Sequence, residues 1–277
     1  MYMGGERIYK YNALSQNWTT INNGYRLDGN AMSALAGSEQ DPNVVYAASS
    51  PKLQRPHIYR TANGGDTWRQ ITRDLPDRFP TDLAVDPNND LIAYVTFGGF
   101  ETSHVFRTED GGESWQDIGQ NLPDIPTWSI TVNPNNSSHL FVGNEIGVYQ
   151  SIDSGKNWQN INGNLPDAVF AIDLIISRSN SKLRLATHGN GAYQIDIKQL
   201  TNTENVNNTI SIPLALLDRT RKYINDRKLP DKAIDVIDEI GAAFNLKPKK
   251  IKNITKKEVE DTVAKIAKIP SRNINQD

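Results

Sequence analysis

Cysteine is absent from the 277 residues, and this absence excludes disulfide bonds, thiolate metal sites, iron–sulfur clusters and cysteine nucleophiles. Long hydrophobic runs are missing too, since no stretch approaches the roughly 18 apolar residues of a membrane-spanning helix, and we expect no membrane span. An excess of one charge is also lacking, with 30 Lys and Arg against 32 Asp and Glu. Bulk electrostatics therefore gives no reason to expect nucleic acid as a partner.

The composition changes sharply near residue 200. Residues 201–277 contain 15 Lys and Arg and 11 Asp and Glu, whereas residues 1–200 contain 15 and 21. All five Trp and 18 of the 19 Gly lie in the first 200 residues. The sequence therefore predicts two architectures in one chain: a β-rich part at 1–198, an Asn-rich linker at 199–211, and a helical part at 212–277.

The β-rich part is an internal repeat. Four tryptophans, Trp18, Trp68, Trp115 and Trp158, lie 50, 47 and 43 residues apart, a period typical of propeller blades. The last three end an eight-residue phrase at 61–68, 108–115 and 151–158. A second marker, Asp/Asn-Pro-Asn, keeps phase with the first and occurs at 41–43, 86–88 and 133–135.

Short runs of β-branched and aromatic residues separate these markers, with turn signals at close intervals. This pattern predicts antiparallel blades of four strands at about 31–80, 81–126 and 127–168. A fourth segment, 169–198, has three strand-like runs and no Trp strand. Two further strands, at 7–11 and 17–21, are typical of the end of another blade.

The eight-residue phrase resembles the Asp-box, or bacterial-neuraminidase repeat, of sialidases, sortilin-like receptors and related β-propellers. Rings of six to eight blades are usual in that family, so the resemblance implies about four blades of an incomplete ring. Chemistry gives each position of the phrase a structural role. An Asp or Asn accepts hydrogen bonds from its own turn, a Gly supplies positive φ, and the Trp packs between blades. These residues are Asn63, Gly65, Trp68, Asp110, Gly112, Trp115, Asp153, Gly155 and Trp158.

A carbohydrate or metal contact by the box carboxylates is the functional alternative to this structural role. The family also includes glycoside hydrolases, but no spacing selects an arginine triad from Arg26, Arg55, Arg73 and Arg78. The four histidines, His57, His104, His139 and His188, fall at strand positions without ligand spacing, and we expect no metal site. No catalytic residue is assigned.

The helical part has its own signature. Its apolar spacing predicts three helices. The first spans about 214–227, the second begins at Pro230, and the third begins at Thr255 and ends at Pro270. Residues 223–239 and 263–270 resemble the small helical subdomain that closes the first ATPase module of Clp-type AAA+ unfoldases. The resemblance implies that five residues lie beside nucleotide in such a module: Arg227, Leu229, Pro230, Asp231 and Lys232.

The phosphate-binding loop G-x-x-x-x-G-K-[ST] is absent from the sequence. We therefore expect no cofactor for the isolated chain, with ATP and Mg²⁺ bound only within an intact Clp-type module. The leading interpretation is a non-catalytic propeller scaffold or binding module joined to a Clp ATPase segment in a chimeric reading frame. The alternatives are an ATP-binding component of an unfoldase and a glycoside hydrolase of the repeat type.

Partners and compartment follow the two resemblances. A protein or carbohydrate is the expected ligand of the propeller loops, and other Clp-type subunits are the expected partners of the tail. The propeller resemblance implies a secreted or periplasmic protein, whereas the Clp resemblance implies a cytoplasmic one.

Overall fold

The fold is described from a computed structural model, which covers residues 1–21, 24, 27–51, 54–163, 165–166, 168–179 and 181–200. Within these ranges the chain forms eighteen strands in five sheets, and all strand pairs are antiparallel. The predicted helical part at 212–277 lies outside the described residues. The only helix within them has four residues, so none there is long enough to cross a membrane.

The five sheets, which we call blades 1 to 5, follow one another along the chain. Blade 1 contains β1 (Tyr2–Gly4), β2 (Ile8–Asn12) and β3 (Asn17–Thr20). Blade 2 contains β4 (Met32–Gly37), β5 (Val45–Ser49), β6 (Ile58–Thr61) and β7 (Arg69–Gln70). Blade 3 contains β8 (Pro80–Asp86), β9 (Asn89–Phe97), β10 (Val105–Thr108) and β11 (Gln116–Asp117).

Blades 4 and 5 complete the series. Blade 4 contains β12 (Thr127–Asn133), β13 (Asn136–Asn144), β14 (Gly147–Ser151) and β15 (Gln159–Asn160). Blade 5 contains β16 (Ala171–Ser177), β17 (Lys182–Thr187) and β18 (Ala192–Asp196), followed by helix α1 (Ile197–Leu200). The strand prediction for 31–198 is therefore confirmed. Blade 1 differs from the prediction by one additional strand, β1, whose short Gly-containing sequence gave no strand signal.

Consecutive blades stack through their first two strands. The first strands β4, β8, β12 and β16 contact one another in succession, and each second strand contacts the first strand of the following blade. Strand β1 contacts β4 in the same way, so it occupies the position of a second strand. The described part of blade 1 contains no counterpart of a first strand.

The hydrophobic core lies between the blades. One cluster joins Ile71 and Leu75 of blade 2 to Leu83 and Val95 of blade 3, and similar clusters join blades 3 to 4 and 4 to 5. Burial of each such aliphatic side chain contributes about 1.5–3 kcal/mol. Each blade covers an apolar face of the next, so apolar surface is buried by the packing of neighbouring blades and not within a single blade.

Helix α1 belongs to this packed part. Leu200 packs against the cluster of blades 4 and 5, and its carbonyl accepts a hydrogen bond from the Gln150 side chain at 3.4 Å. The first two residues of the predicted linker at 199–211 therefore lie in a helix that packs on the blades.

The two sequence markers meet at one end of the stack. The Asp/Asn-Pro-Asn marker forms the turn between the first and second strands, where the Asp41 carboxylate accepts from the Asn43 N–H at 2.9 Å. The Asn43 carbonyl in turn accepts from the N–H of Gly64 in the eight-residue phrase, also at 2.9 Å. In blade 2 the two markers therefore contact each other directly; in blades 3 and 4 the box turn instead donates to the Leu91 and Ser138 carbonyls, three residues beyond the marker.

Each first strand carries a β-bulge at the same place. The register shifts lie between Met32 and Ala34, Pro80 and Asp82, Thr127 and Ser129, and Ala171 and Asp173. A bulge re-aims the side chains beside it. In blades 3 and 4 the residue after the bulge, Asp82 or Ser129, accepts a hydrogen bond from a backbone N–H of the next blade.

Asp82 and Ser129 form a continuous polar link through three blades. The Asp82 carboxylate accepts from the Ile130 N–H at 3.0 Å and from the Ser129 side chain, and the Ser129 hydroxyl oxygen accepts from the Leu174 N–H at 3.0 Å. Burial raises the pKa of Asp82 from an ordinary value of 3.8 to about 6, and the negative charge of Asp173 adds to the effect.

This raised pKa predicts a pH-dependent stability. Because the folded state binds the Asp82 proton more tightly than the unfolded chain, the contribution of Asp82 to the free energy of unfolding should fall as the pH rises from about 4 to about 6. The substitution Asp82→Asn removes the titrating group and should reduce this fall by about 2 kcal/mol. Urea unfolding at a series of pH values, followed by Trp fluorescence, measures it. Asp66→Asn, at an exposed carboxylate, is the control for lost charge, and an unchanged slope in Asp82→Asn would contradict the assignment.

Candidate functional site

The three eight-residue phrases, called box turns below, are closed by their own side chains. In the turn at 108–115, the Thr108 hydroxyl donates to Asp110 Oδ1 at 2.7 Å and accepts from the Gly112 N–H at 2.9 Å. Asp110 Oδ1 also accepts from the Ser114 N–H at 3.0 Å, and Oδ2 accepts from the Ser114 hydroxyl at 2.6 Å. The turn's donors thus engage both carboxylate oxygens.

The other two box turns repeat this network. Asp153 accepts from the Ser151 hydroxyl at 2.7 Å and from the Asn157 N–H at 2.9 Å. In the first turn Asn63 Oδ1 accepts from the Thr67 N–H at 3.0 Å, and its amide donates to the Thr67 hydroxyl at 2.9 Å. The amide of Asn63 therefore serves where the other turns have a carboxylate.

These hydrogen bonds hold the box carboxylates in their ionised form. Donation by Ser114 lowers the pKa of Asp110 to about 2, and donation by Asn157 lowers the pKa of Asp153. A group with so low a pKa is a poor general acid at neutral pH. The geometry therefore suits a structural role better than a catalytic one.

The box glycines approach the preceding blade too closely for any side chain. Gly65, Gly112 and Gly155 have φ values of 96°, 93° and 90°. A Cβ atom on Gly112 would lie 2.4 Å from Cδ1 of Ile71. Gly65 faces Ile21 and Gly155 faces Ile118 in the same way, each at 2.6 Å.

These isoleucines were not predicted, although the sequence contains a signal for them. Ile21, Ile71 and Ile118 each lie three residues after a periodic tryptophan, so the repeat includes Trp-x-x-Ile. The hydroxyl residues that begin the phrases were also missed as hydrogen-bonding groups. They are Thr61, Thr108 and Ser151.

The box tryptophans pack on the preceding blade, with two of them bonded to it. The Trp115 indole N–H donates to the Ile71 carbonyl at 2.8 Å, and that of Trp158 to the Ile118 carbonyl at 2.6 Å. Trp158 is buried, and Trp68 and Trp115 are half-buried. The Trp68 indole N–H has no hydrogen-bond partner among the described residues, and the Ile21 carbonyl accepts from the Gly24 N–H. Trp18 is 42% exposed.

A substitution at Gly112 tests the close approach. Gly112→Ala combines a positive φ with the clash against Ile71, and should lower the free energy of unfolding by about 2–5 kcal/mol. Gly191→Ala is the matched control, because Gly191 has φ 84° with nothing within 4 Å of an added Cβ, and should cost about 1–2 kcal/mol. Denaturant unfolding measures both. Adding Ile71→Val, which removes the clashing methyl group, should recover part of the loss. Equal losses for the two glycines would disprove the steric contribution.

The opposite end of the blades carries the loops between second and third strands. There Trp128, Phe170 and His188, called the aromatic cluster below, come from blades 4 and 5. The ring centroids of Trp128 and Phe170 lie 5.5 Å apart, and those of Phe170 and His188 lie 5.7 Å apart. Trp128 and Phe170 are half-buried and His188 is exposed, so the cluster is open to a ligand at one side.

A buried acid supports the aromatic cluster. The Trp128 indole N–H donates to Glu145 Oε1 at 3.3 Å, and Glu145 is only 5% exposed. Trp128 is the bulged residue of β12, and the bulge explains its placement at this end. It is also the one tryptophan outside the period, and that exception is the sequence signal that could have identified it.

Three of the four histidines lie at this loop end rather than inside strands. His57 precedes β6 and contacts the Asp28 carboxylate at 3.4 Å, and His188 follows β17. His104 precedes β10, where its two ring nitrogens face the Phe97 carbonyl at 3.1 Å and Asp124 Oδ1 at 3.0 Å. Only His139 lies within a strand, and burial lowers its pKa. The described residues contain no group of three or more side chains that could hold a metal ion.

The nucleotide-site residues implied by the Clp resemblance lie outside the described residues. They are Arg227, Leu229, Pro230, Asp231 and Lys232. Their arrangement remains a prediction.

Comparison with known proteins separates the chain into the same two parts. Residues 200–277 match the family model of the AAA lid domain. A stretch of 58 residues is 60% identical to a ClpA homolog protein of Fuscovulum blasticum, and covers 20% of this chain and 7% of that protein. The resemblance of the tail to Clp-type ATPases is thereby confirmed. The match begins at residue 200, twelve residues before the predicted start.

The blades match solved β-propeller structures. The GH74 xyloglucanase of Xanthomonas campestris superposes with a TM-score of 0.58 at 17% identity, over 72% of this chain and 34% of the enzyme. The β-propeller domain of Cps50 (Swd1) from Myceliophteria thermophila superposes with a TM-score of 0.54 at 12% identity, over 76% of this chain and 66% of that one. At these identities the likeness establishes a propeller-like fold and no activity.

Proposed function

We propose that the blades form a non-catalytic binding module of the Asp-box type, with the aromatic cluster and Glu145 at the centre of its ligand surface. The observation that carries the proposal is the pair of half-buried rings, Trp128 and Phe170, beside a buried acid at the loop end. Aromatic faces with a few fixed polar groups are common in ligand sites.

A carbohydrate is the ligand class we favour. The rings offer apolar faces to a sugar, and the Glu145 carboxylate fixes the Trp128 ring in place. Hydrolysis would need two carboxylates facing each other across the substrate. At the loop end Asp28 contacts His57, Asp124 contacts His104, and Glu145 accepts from Trp128. We therefore propose binding without cleavage, and retain glycoside hydrolysis as the alternative that the assay must exclude.

Titration of the full chain with soluble β-glucan and xyloglucan oligosaccharides, followed by Trp fluorescence and calorimetry, tests the proposal. Trp128→Ala should weaken binding at least about tenfold, equivalent to about 1.4 kcal/mol. Trp18→Ala is the matched control, since it removes a half-exposed Trp from blade 1 and should leave the affinity unchanged. Equal affinities of the two variants would reject the site. Release of reducing sugar would contradict the non-catalytic assignment.

For the tail we propose a nucleotide-dependent role only within a complete Clp-type assembly. The match to the AAA lid domain supports this proposal, and the relative that contains the matched stretch is far longer than this chain. ATP, Mg²⁺ and other Clp-type subunits would be its partners, with Arg227 to Lys232 beside the nucleotide. Nucleotide-dependent association of the chain with a Clp-type hexamer, lost on Arg227→Ala, is the expected result.

We also propose that the two parts were joined in a chimeric reading frame. Propellers of the Asp-box type imply a secreted or periplasmic compartment, whereas Clp-type ATPases imply the cytoplasm, so one compartment does not suit both. Sequencing the genomic locus and its transcript across the codons for residues 195–215 tests the junction. An uninterrupted frame in both nucleic acids would support a genuine fusion instead.

A further inference from the structure

The sequence contains four Asn-Gly pairs, and the structure distinguishes the surroundings of three of them. These are Asn63-Gly64, Asn162-Gly163 and Asn190-Gly191; the fourth, Asn23-Gly24, includes a residue outside the described ranges. An asparagine before glycine can cyclise, because glycine has no side chain to hinder attack by its backbone nitrogen. The reaction still requires a free side-chain amide and an accessible N–H.

Asn63 is held in place by the first box turn. Its Oδ1 accepts from the Thr67 N–H at 3.0 Å, and its Nδ2 donates to the Thr67 hydroxyl at 2.9 Å. The attacking group is also engaged, because the Gly64 N–H donates to the Asn43 carbonyl at 2.9 Å. Both reactants would have to break hydrogen bonds first.

Asn162 is held by blade 4. Its Oδ1 accepts from the Val148 N–H at 2.7 Å, and its Nδ2 donates to the Ile146 carbonyl at 2.8 Å. The side-chain amide thus completes the backbone hydrogen bonding of β14. Cyclisation here would remove two hydrogen bonds of a packed blade.

Asn190 differs in each respect. It is exposed, and within the described part of the chain neither its side chain nor the Gly191 N–H makes a hydrogen bond. Nothing lies within 4 Å of a Cβ built on Gly189 or Gly191, so the loop between β17 and β18 is open on both sides of Asn190. The loop is fixed at the Gly191 carbonyl, which accepts from the Thr187 N–H at 3.1 Å and the Thr187 hydroxyl at 2.6 Å, and at the His188 N–H, which donates to the Phe170 carbonyl at 3.0 Å. Neither contact engages the Asn190 side chain or the Gly191 N–H.

We propose that Asn190-Gly191 is a site of spontaneous covalent modification, at which Asn190 converts to aspartate and isoaspartate. The Gly191 nitrogen loses its proton and attacks Cγ of Asn190, and an N–Cγ bond forms. The Cγ–Nδ2 bond then breaks, and the NH₂ group takes up one proton and leaves as ammonia. Water then opens the five-membered imide at either carbonyl. The products place a new negative charge two residues from His188, at the edge of the aromatic cluster, and the isoaspartate form lengthens the loop backbone by one atom.

Ageing of the purified full chain in mildly alkaline buffer, followed by tryptic digestion and mass spectrometry, tests the site. Cleavage after lysine and arginine separates the three pairs into peptides 61–69, 157–178 and 185–198. In the folded protein Asn190 should convert at least about tenfold faster than Asn63 or Asn162, since those two require local opening. In strong denaturant the three rates should become similar.

Two variants complete the design. Asn190→Asp supplies the product standard for chromatography. Asn190→Gln retains an amide but would need a larger ring, and should leave peptide 185–198 unchanged over the same period. Conversion of Asn63 or Asn162 as fast as Asn190 in the folded chain would overturn the proposal, as would an unmodified Asn190 once the denatured pairs have reacted. The glycan titration does not enter this assay, so the two proposals fail independently.

Discussion

The contact between the glycine of one box turn and the isoleucine of the preceding blade is the constraint on which the packing of blades 1 to 4 depends. Gly112 brings its backbone so near Ile71 that even a methyl group would not fit. The turn must then hold a positive φ, and the Asp or Asn side chain supplies the hydrogen bonds that stabilise it. Glycine is consequently required two residues after the Asp or Asn of each box turn, that is, at Gly65, Gly112 and Gly155.

The first strands meet a different requirement, because they pack on one another from blade to blade. Packing of successive first strands places backbone N–H groups of one blade against the side chains of another. Asp82 and Ser129 satisfy the N–H groups of Ile130 and Leu174, which would otherwise be costly to bury. The bulges allow this arrangement, because they turn these side chains toward the next blade. Burial of Asp82 between the blades disfavours its ionisation and outweighs the opposite effect of the hydrogen bonds it accepts.

The repeat was visible in the sequence because its residues are local. Each box turn is closed within eight residues, so the spacing of Asp110, Gly112 and Trp115 records the geometry of one turn. The positions of the strands in blades 2 to 5 were predictable from the spacing of the same repeat. The second marker forms the neighbouring turn of each blade, and in blade 2 it contacts the box turn directly.

The loop end was not predictable in the same way. Trp128, Phe170 and His188 are brought together from two blades, and no spacing in the sequence relates them. The placement of Trp128 also depends on a bulge, which adds one residue to a strand without any composition signal. Three histidines were therefore assigned to strands although they lie at strand ends, where burial and hydrogen bonding are decided by neighbouring loops.

The pairing of box glycine with preceding isoleucine makes each blade a complete exchangeable part. Blades 2 and 3 each carry both an isoleucine that receives the glycine of the next blade and a glycine that approaches the previous blade. Duplication or deletion of a whole repeat at the DNA level would therefore recreate matched interfaces without compensating substitutions. A recombination break between a box turn and the isoleucine that follows it would still join two halves of the same pattern, which favours variation in blade number over variation in blade type.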